Sequence, residues 1–221
     1  LAMTEKEVGY LYPADENGNK PIAYYWARTA TCSNPSCKAE VPLLKQFYLA
    51  NTSTKKVYLN PVINGTDIQF EIKEGTCPIK EGWNKTGNLT CPCCGSVTTS
   101  KQVKEQSCES QLKEKFIAAI VESHDGKKYQ LPSIDLLLPH IDYHNEFIPL
   151  EMMTKQTDLI SSRGWGINQW YQMFSNRQLY MLQAFIKNFS ILKNKIESTQ
   201  YAQTLYTYLA IWIDRIAVVN T

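Results

Sequence analysis

Long apolar runs are missing from this chain. No stretch reaches the roughly 18 uncharged apolar residues needed to span a bilayer. The best candidate, Tyr206 to Val219, is broken by Asp214 and Arg215. Residues 1–19 hold no basic segment followed by an apolar run, so no secretion signal is read there. A cytoplasmic protein without a membrane partner is the expectation. Charge of one sign is also lacking: 23 Lys+Arg stand against 21 Asp+Glu, a net charge of +2. That excludes nucleic-acid binding by bulk charge and leaves only local patches. With 43% hydrophobic and 20% charged residues the chain is neither a disordered tail nor a low-complexity segment. Signatures of catalysis are absent too: there is no Gly-x-Ser-x-Gly elbow, phosphate loop or Cys/His nucleophile pairing. The opening Leu1-Ala2-Met3-Thr4 lacks a start signature, so the sequence reads as a segment cut from a longer protein.

What is present is 221 residues, enough for one domain or two small ones. An α+β fold is expected in three regions. Residues 1–105 form a β-rich lobe, 106–165 a helix and a long connector, and 166–221 a C-terminal helical hairpin. After an N-terminal arm, strands are read at Ile22–Ala27, Leu43–Ala50, Lys56–Ile63 and Ile68–Lys73, the last alternating at period 2. A final short strand is read at Val97–Val103. Leu112, Phe116, Ile117, Ile120 and Val121 fall at helical spacing, with Ser107 as N-cap. Ser175 and Gln178 fit a capping box before the apolar face Leu179, Leu182, Phe185, Ile186 and Phe189. A second helix carries Tyr201, Leu205, Tyr208, Leu209, Trp212, Ile213 and Ile216.

Seven cysteines, all in the first half, carry the strongest chemical signal. Cys32-Ser33-Asn34-Pro35-Ser36-Cys37 and Cys91-Pro92-Cys93-Cys94-Gly95 each place two thiols on a tight turn. Zinc takes four ligands at tetrahedral corners, and two such turns from distant strands close a site. The ligand set read is Cys32, Cys37, Cys91 and Cys94. Cys93 and Cys77 stand as alternative ligands, and Cys108 reads as a small apolar residue at a helix start. Four thiolates leave no open position for water, so the zinc is expected to be structural. A lobe this small benefits from such a staple.

The run from Tyr24 to Cys37, continuing through Ala39-Glu40-Val41-Pro42-Leu43, resembles the zinc-ribbon insertion of large prokaryotic adenine-specific DNA methyltransferases. Cys91-Pro92-Cys93-Cys94-Gly95 resembles its second knuckle. Gly164 to Trp170, Met173 to Leu179, and Tyr201 to Arg215 are similar to the segments that follow, in collinear order. Lys38 stands where such a turn often has Gly, and Cys93 adds a thiol inside the second knuckle. The Gly-rich S-adenosylmethionine turn and the Asn/Asp-Pro-Pro-aromatic tetrapeptide of that family are absent; Asn60-Pro61-Val62-Ile63 does not match it. The resemblance therefore implies an internal accessory segment that does not methylate alone. It implies S-adenosylmethionine only in the full-length parent, DNA reached through that parent, its catalytic domain as a neighbour, and partner subunits of a DNA modification or defence system.

Candidate DNA contacts are few. Residues 38–128 hold 13 Lys, no Arg and 10 acids, a surplus of three positive charges. Lys55-Lys56 is a basic doublet at a hairpin. Arg163 and Trp165, beside Gly164 and Gly166, suit a loop that approaches a base closely. Arg177 in a first helical turn opposes the helix dipole, so a carboxylate or phosphate partner is expected. His140 and His144 are four apart but bracketed by Pro139 and Pro149 with no third ligand, and they read as loop histidines. The rival class is a zinc-stabilised protein-interaction module.

Overall fold

Two knuckles and the strands that carry them organise the larger part of the structure. A computed structural model describes residues 1–109, 111–133, 148–153, 166–196 and 199–219. The chain is mixed α/β with C-terminal helices, and its described residues cluster into two units. Residues 14–133 with Gly166 form one, and 1–13, 148–153 and 167–219 form the other. Arg163, Trp165, His140 and His144 lie outside the described residues.

Among its described residues the β unit contains three antiparallel sheets. Strand β1 (Pro21–Thr31) pairs at its C-terminal end with β2 (Glu40–Pro42). A second sheet joins β3 (Tyr48–Asn51), β4 (Lys56–Asn64) and β5 (Asp67–Glu74). A third is built from β6 (Asn84–Lys85), β7 (Asn88–Thr90) and β8 (Val97–Thr98). Helix α2 (Ser100–Cys108) follows directly. Its N-cap is Thr99, whose hydroxyl accepts from the Gln102 N–H while the Gln102 side chain reaches back to Thr99, a complete capping box. The strand expected over Val97–Val103 therefore ends at Thr98, because this cap starts a helix there. Ser107 lies in the last turn of α2 rather than at a helix start, and Cys108 ends that helix, exposed.

The helix expected over Leu112–Val121 is a strand. β9 (Lys113–Ser123) pairs along β1, and β10 (Gly126–Gln130) pairs along β9, giving the order β10-β9-β1-β2. The reason is burial on both faces. Ile117 to Val121 are all buried, so the period-2 alternation that marks a half-buried strand is erased. A continuous apolar run fits a helical stripe equally well by spacing. The β-branched Ile117, Ile120 and Val121 and the turn at Asp125-Gly126 favour the hairpin.

The core of this unit is aromatic. Trp83 meets Phe47 edge-on at 5.1 Å between ring centroids and stacks on Phe70 at 6.0 Å. Val57, Leu59 and Ile68 close around them. Gly82 lets this segment press against the chain before β3. A Cβ there lies 2.2 Å from the Leu44 carbonyl oxygen, while Gly82 and Asn84 donate backbone N–H groups to Lys45 and Leu44.

The helical unit joins α1 (Ala2–Val8), α3 (Asn176–Lys195) and α4 (Gln200–Val219). The Ser175–Gln178 capping box is present at α3. The N-terminal arm is helical and packs on α3. Glu7 accepts from Lys187 at 2.7 Å, and Asn188 donates to both Thr4 and Glu7. The Phe185–Trp212 and Phe189–Tyr206 ring pairs join α3 to α4. Arg177 finds its company inside this unit: its guanidinium lies 4.9 Å from the Tyr12 ring centroid and donates to the Leu11 carbonyl. No described helix is long and apolar enough to cross a membrane.

Phe47→Ala is expected to destabilise the β unit by about 3–5 kcal/mol, since Phe47 is fully buried beside Trp83 and leaves a cavity there. Chemical denaturation followed by tryptophan emission reads this loss.

Candidate metal centre

Each knuckle is the loop of an antiparallel pair. Residues 32–39 join β1 to β2 in the register Thr31 opposite Glu40, and residues 91–96 join β7 to β8 in the register Thr90 opposite Val97. Ladder-like bonds extend into both loops, from the Cys32 N–H to Ala39 and from the Cys91 N–H to Ser96. The hairpins thus fix where the four sulfurs point.

The two loops share one turn. Asn34-Pro35-Ser36-Cys37-Lys38 and Cys91-Pro92-Cys93-Cys94-Gly95 each place Pro second, Cys fourth and a left-handed residue fifth. The fifth residue donates its N–H to the carbonyl of the first in both cases, at 3.0 Å for Lys38 and 2.9 Å for Gly95. Where the second loop has Cys91, the first has Asn34, whose side chain accepts the Ser36 N–H. The fourth sulfur comes instead from Cys32, two residues earlier. Lys38 holds φ +50° where Gly95 holds φ +76°, so the residue that replaces glycine carries backbone strain.

The Sγ atoms of Cys32, Cys37, Cys91 and Cys94 all lie within 4.8 Å of one another. Cys32 and Cys94 are 3.6 Å apart, and Cys37 and Cys91 are 3.8 Å apart. Bonds of about 2.3 Å from a central zinc place tetrahedral sulfurs about 3.8 Å apart. A disulfide requires about 2.05 Å, and all seven cysteines are free. The geometry suits a tetrahedral metal ion. Of the alternative ligands, Cys77 sits in the core, its thiol on the Ile79 carbonyl, and Cys93 is outside the four-sulfur set.

Hydrogen bonds prepare three sulfurs for negative charge. The N–H two residues on donates to the sulfur in each case: Asn34 to Cys32, Ala39 to Cys37 and Ser96 to Cys94. For Cys94 the Ser96 hydroxyl and N–H lead, and its thiol is lowered to about 6. For Cys32, burial leads and the thiol is pushed up to about 12. Burial likewise pushes Cys93 to about 11. The thiol pushed down, Cys94, is the exposed one of the four, and the thiol pushed up, Cys32, is buried.

A polar frame locks the two knuckles together. Thr98, fully buried, accepts the Ser33 N–H at 2.9 Å and donates to the Ser33 hydroxyl. Asn34 donates to Ser96. Gln106 of α2 accepts from the N–H and donates to the carbonyl of Thr31, next to Cys32. Sequence reading missed Thr98 and Gln106, since both act through contacts about 65 to 75 positions away. The candidate DNA residues are placed elsewhere. Lys55 lies over the Tyr129 ring and donates to the Lys127 carbonyl, Lys56 is exposed at the start of β4, and Arg177 belongs to the helical unit.

Serine at any of positions 32, 37, 91 or 94 is expected to abolish stoichiometric metal binding, while Cys77→Ser and Cys93→Ser retain one metal per chain by elemental analysis. Metal affinity is expected to fall as pH falls, because the ion must displace the protons that Cys32 and Cys37 hold; competition titration between pH 8 and 6 reads the slope. Lys38→Gly is expected to raise thermal stability by about 0.5–1 kcal/mol by relieving the left-handed backbone.

Comparison of the chain with protein-family models, with curated proteins and with solved structures returns no match.

Proposed function

We propose that Cys32, Cys37, Cys91 and Cys94 hold a structural zinc ion, and that the chain is the zinc-ribbon accessory segment of an adenine-specific (N6) DNA methyltransferase. The observation that carries the zinc assignment is the closed set of four sulfurs at tetrahedral spacing. An all-thiolate set favours zinc among the common divalent ions, and with no open position it supplies stability rather than Lewis-acid chemistry. The DNA assignment is supported by the sequence resemblance around both knuckles and by the modest lysine surplus of residues 38–128. In this reading the parent works in the cytoplasm of a prokaryote and holds S-adenosylmethionine elsewhere. The segment contributes DNA contacts or braces the catalytic domain. An inserted lobe suits that task because a base must leave the duplex to be methylated, which needs contacts outside the catalytic pocket.

One observation favours the rival reading, a protein-interaction module of a multi-subunit modification or defence system. Helix α4 leaves Tyr201, Leu205, Tyr208 and Trp212 exposed along one face.

Salt dependence separates the two. With the zinc-loaded chain and a 25-base-pair duplex, about three phosphate contacts predict a loss of roughly 40-fold in affinity between 50 and 200 mM salt. Absence of duplex and single-strand binding at low salt removes the DNA reading. Salt-insensitive capture of a partner subunit supports the rival.

A further inference from the structure

The four-sulfur cluster has one open side. Cys32 and Cys91 are buried, Cys37 is half-buried, and Cys94 is exposed. Of the four sulfurs, that of Cys94 is the one a small solute reaches first. Oxidation of a cysteine follows its exposure and thiolate character, and it ends in a disulfide where a second thiol stands close enough. Such a thiol is present. Cys94 Sγ lies 3.6 Å from Cys32 Sγ, which belongs to the other knuckle. A second close contact, Cys37 with Cys91 at 3.8 Å, also crosses between the knuckles. Closing either pair to a disulfide asks for roughly 1.6–1.8 Å of movement, shared between two side chains.

The frame around the sulfurs does not run through a metal. Thr98 holds Ser33, Asn34 bonds Ser96, and Gln106 holds Thr31, all by hydrogen bonds between protein groups. These bonds keep the two loops face to face while the sulfurs change partners. Cys93 is the other thiol beside Cys94, but the backbone disfavours that pairing. Adjacent Cα atoms sit about 3.8 Å apart across a trans peptide, closer than the roughly 4.4 Å at which disulfides begin to fit.

We propose that the cluster is a hydroperoxide-responsive staple, in which oxidation pairs Cys94 with Cys32 and Cys37 with Cys91, so that the ion leaves while the knuckles stay cross-linked. This deepens the zinc reading above and rests on it. The Cys94 thiolate attacks the O–O bond of a hydroperoxide. An S–O bond forms, the O–O bond breaks, and the departing oxygen takes a proton to leave as an alcohol or water. The Cys32 sulfur then attacks the Cys94 sulfur. An S–S bond forms, the S–O bond breaks, and the hydroxide released takes a proton to become water. Two thiolates lose two electrons, and one peroxide bond gains them. The first disulfide removes two of the four ligands, which frees the ion. A second hydroperoxide oxidises Cys37 and Cys91 by the same steps. The partners stand 62 and 54 positions apart, and cross-links between such distant positions restrict the unfolded chain. The β unit therefore stays folded without its ion.

The test uses the full chain purified with its zinc, whose metal content is measured first. Hydrogen peroxide is added stepwise, and released zinc is read with a chromogenic chelator. Free thiols are then blocked, and disulfides are mapped from fragment masses. The expected result is loss of one zinc per chain, with Cys32–Cys94 formed first and Cys37–Cys91 second. Circular dichroism of the oxidised chain keeps its β signal, whereas the reduced, chelator-stripped chain loses part of it. A dithiol with added zinc restores the metal. Cys93→Ser, which keeps all four ligands, releases zinc at the wild-type rate. Disulfides within one knuckle, or any that include Cys93 or Cys108, overturn the proposal. Zinc retained in excess peroxide overturns it as well, as does a β signal lost on oxidation. Each of these leaves the zinc reading standing. A chain that carries no zinc and takes up none overturns both.

Discussion

Four sulfurs from two hairpin loops meet within 4.8 Å, and the weakest part of the fold hangs on that meeting. The sheet of β6, β7 and β8 has strands of two or three residues and buries little besides Leu89 and Thr98. Strands this short gain little from their own ladders. The ion proposed for the site supplies what their packing cannot. The hydrogen bonds from Thr98, Asn34 and Gln106 then hold the loops in register around it. Burial and charge pull in opposite directions at the sulfurs. Desolvation opposes ionisation of Cys32, whereas a metal requires it, and the N–H donors from positions two residues on offset part of that conflict.

The stacked ring pair of Trp26 on β1 and Phe116 on β9 depends on the same frame. Its strand is clamped at the far end by the first knuckle and by Gln106, and along one side by β9.

The cluster of Cys32, Cys37, Cys91 and Cys94 was legible because cysteine pairs on Pro- and Gly-containing turns have few other uses, and the spacing is local. The period-2 pattern of Ile68 to Lys73 was legible for the same reason: one face is buried and the other wet. β9 was not, because burial on both sides removes the pattern that distinguishes a central strand from a helix. The start of α2 was hidden by Val97 and Thr98, which read as the beginning of a longer strand, although Thr99 and Gln102 spell out the cap. The N-terminal arm was helical for a reason outside its own sequence, the polar clasp of Glu7 and Thr4 on α3. Thr98 and the Trp26–Phe116 stack belong to the same class: long-range pairing decides them, and no local pattern announces it.

The separation of the two knuckles along the chain sets a timetable. Cys32 leaves the ribosome 59 residues before Cys91, and at about 5–20 residues per second the interval is roughly 3–12 s. During that time Cys32 and Cys37 have no partners, and their hairpin precedes the one that completes the cluster. The first two thiols are therefore open to oxidation until the second hairpin is made. The rate of synthesis therefore sets how long the first pair of thiols waits before the four-sulfur cluster can close.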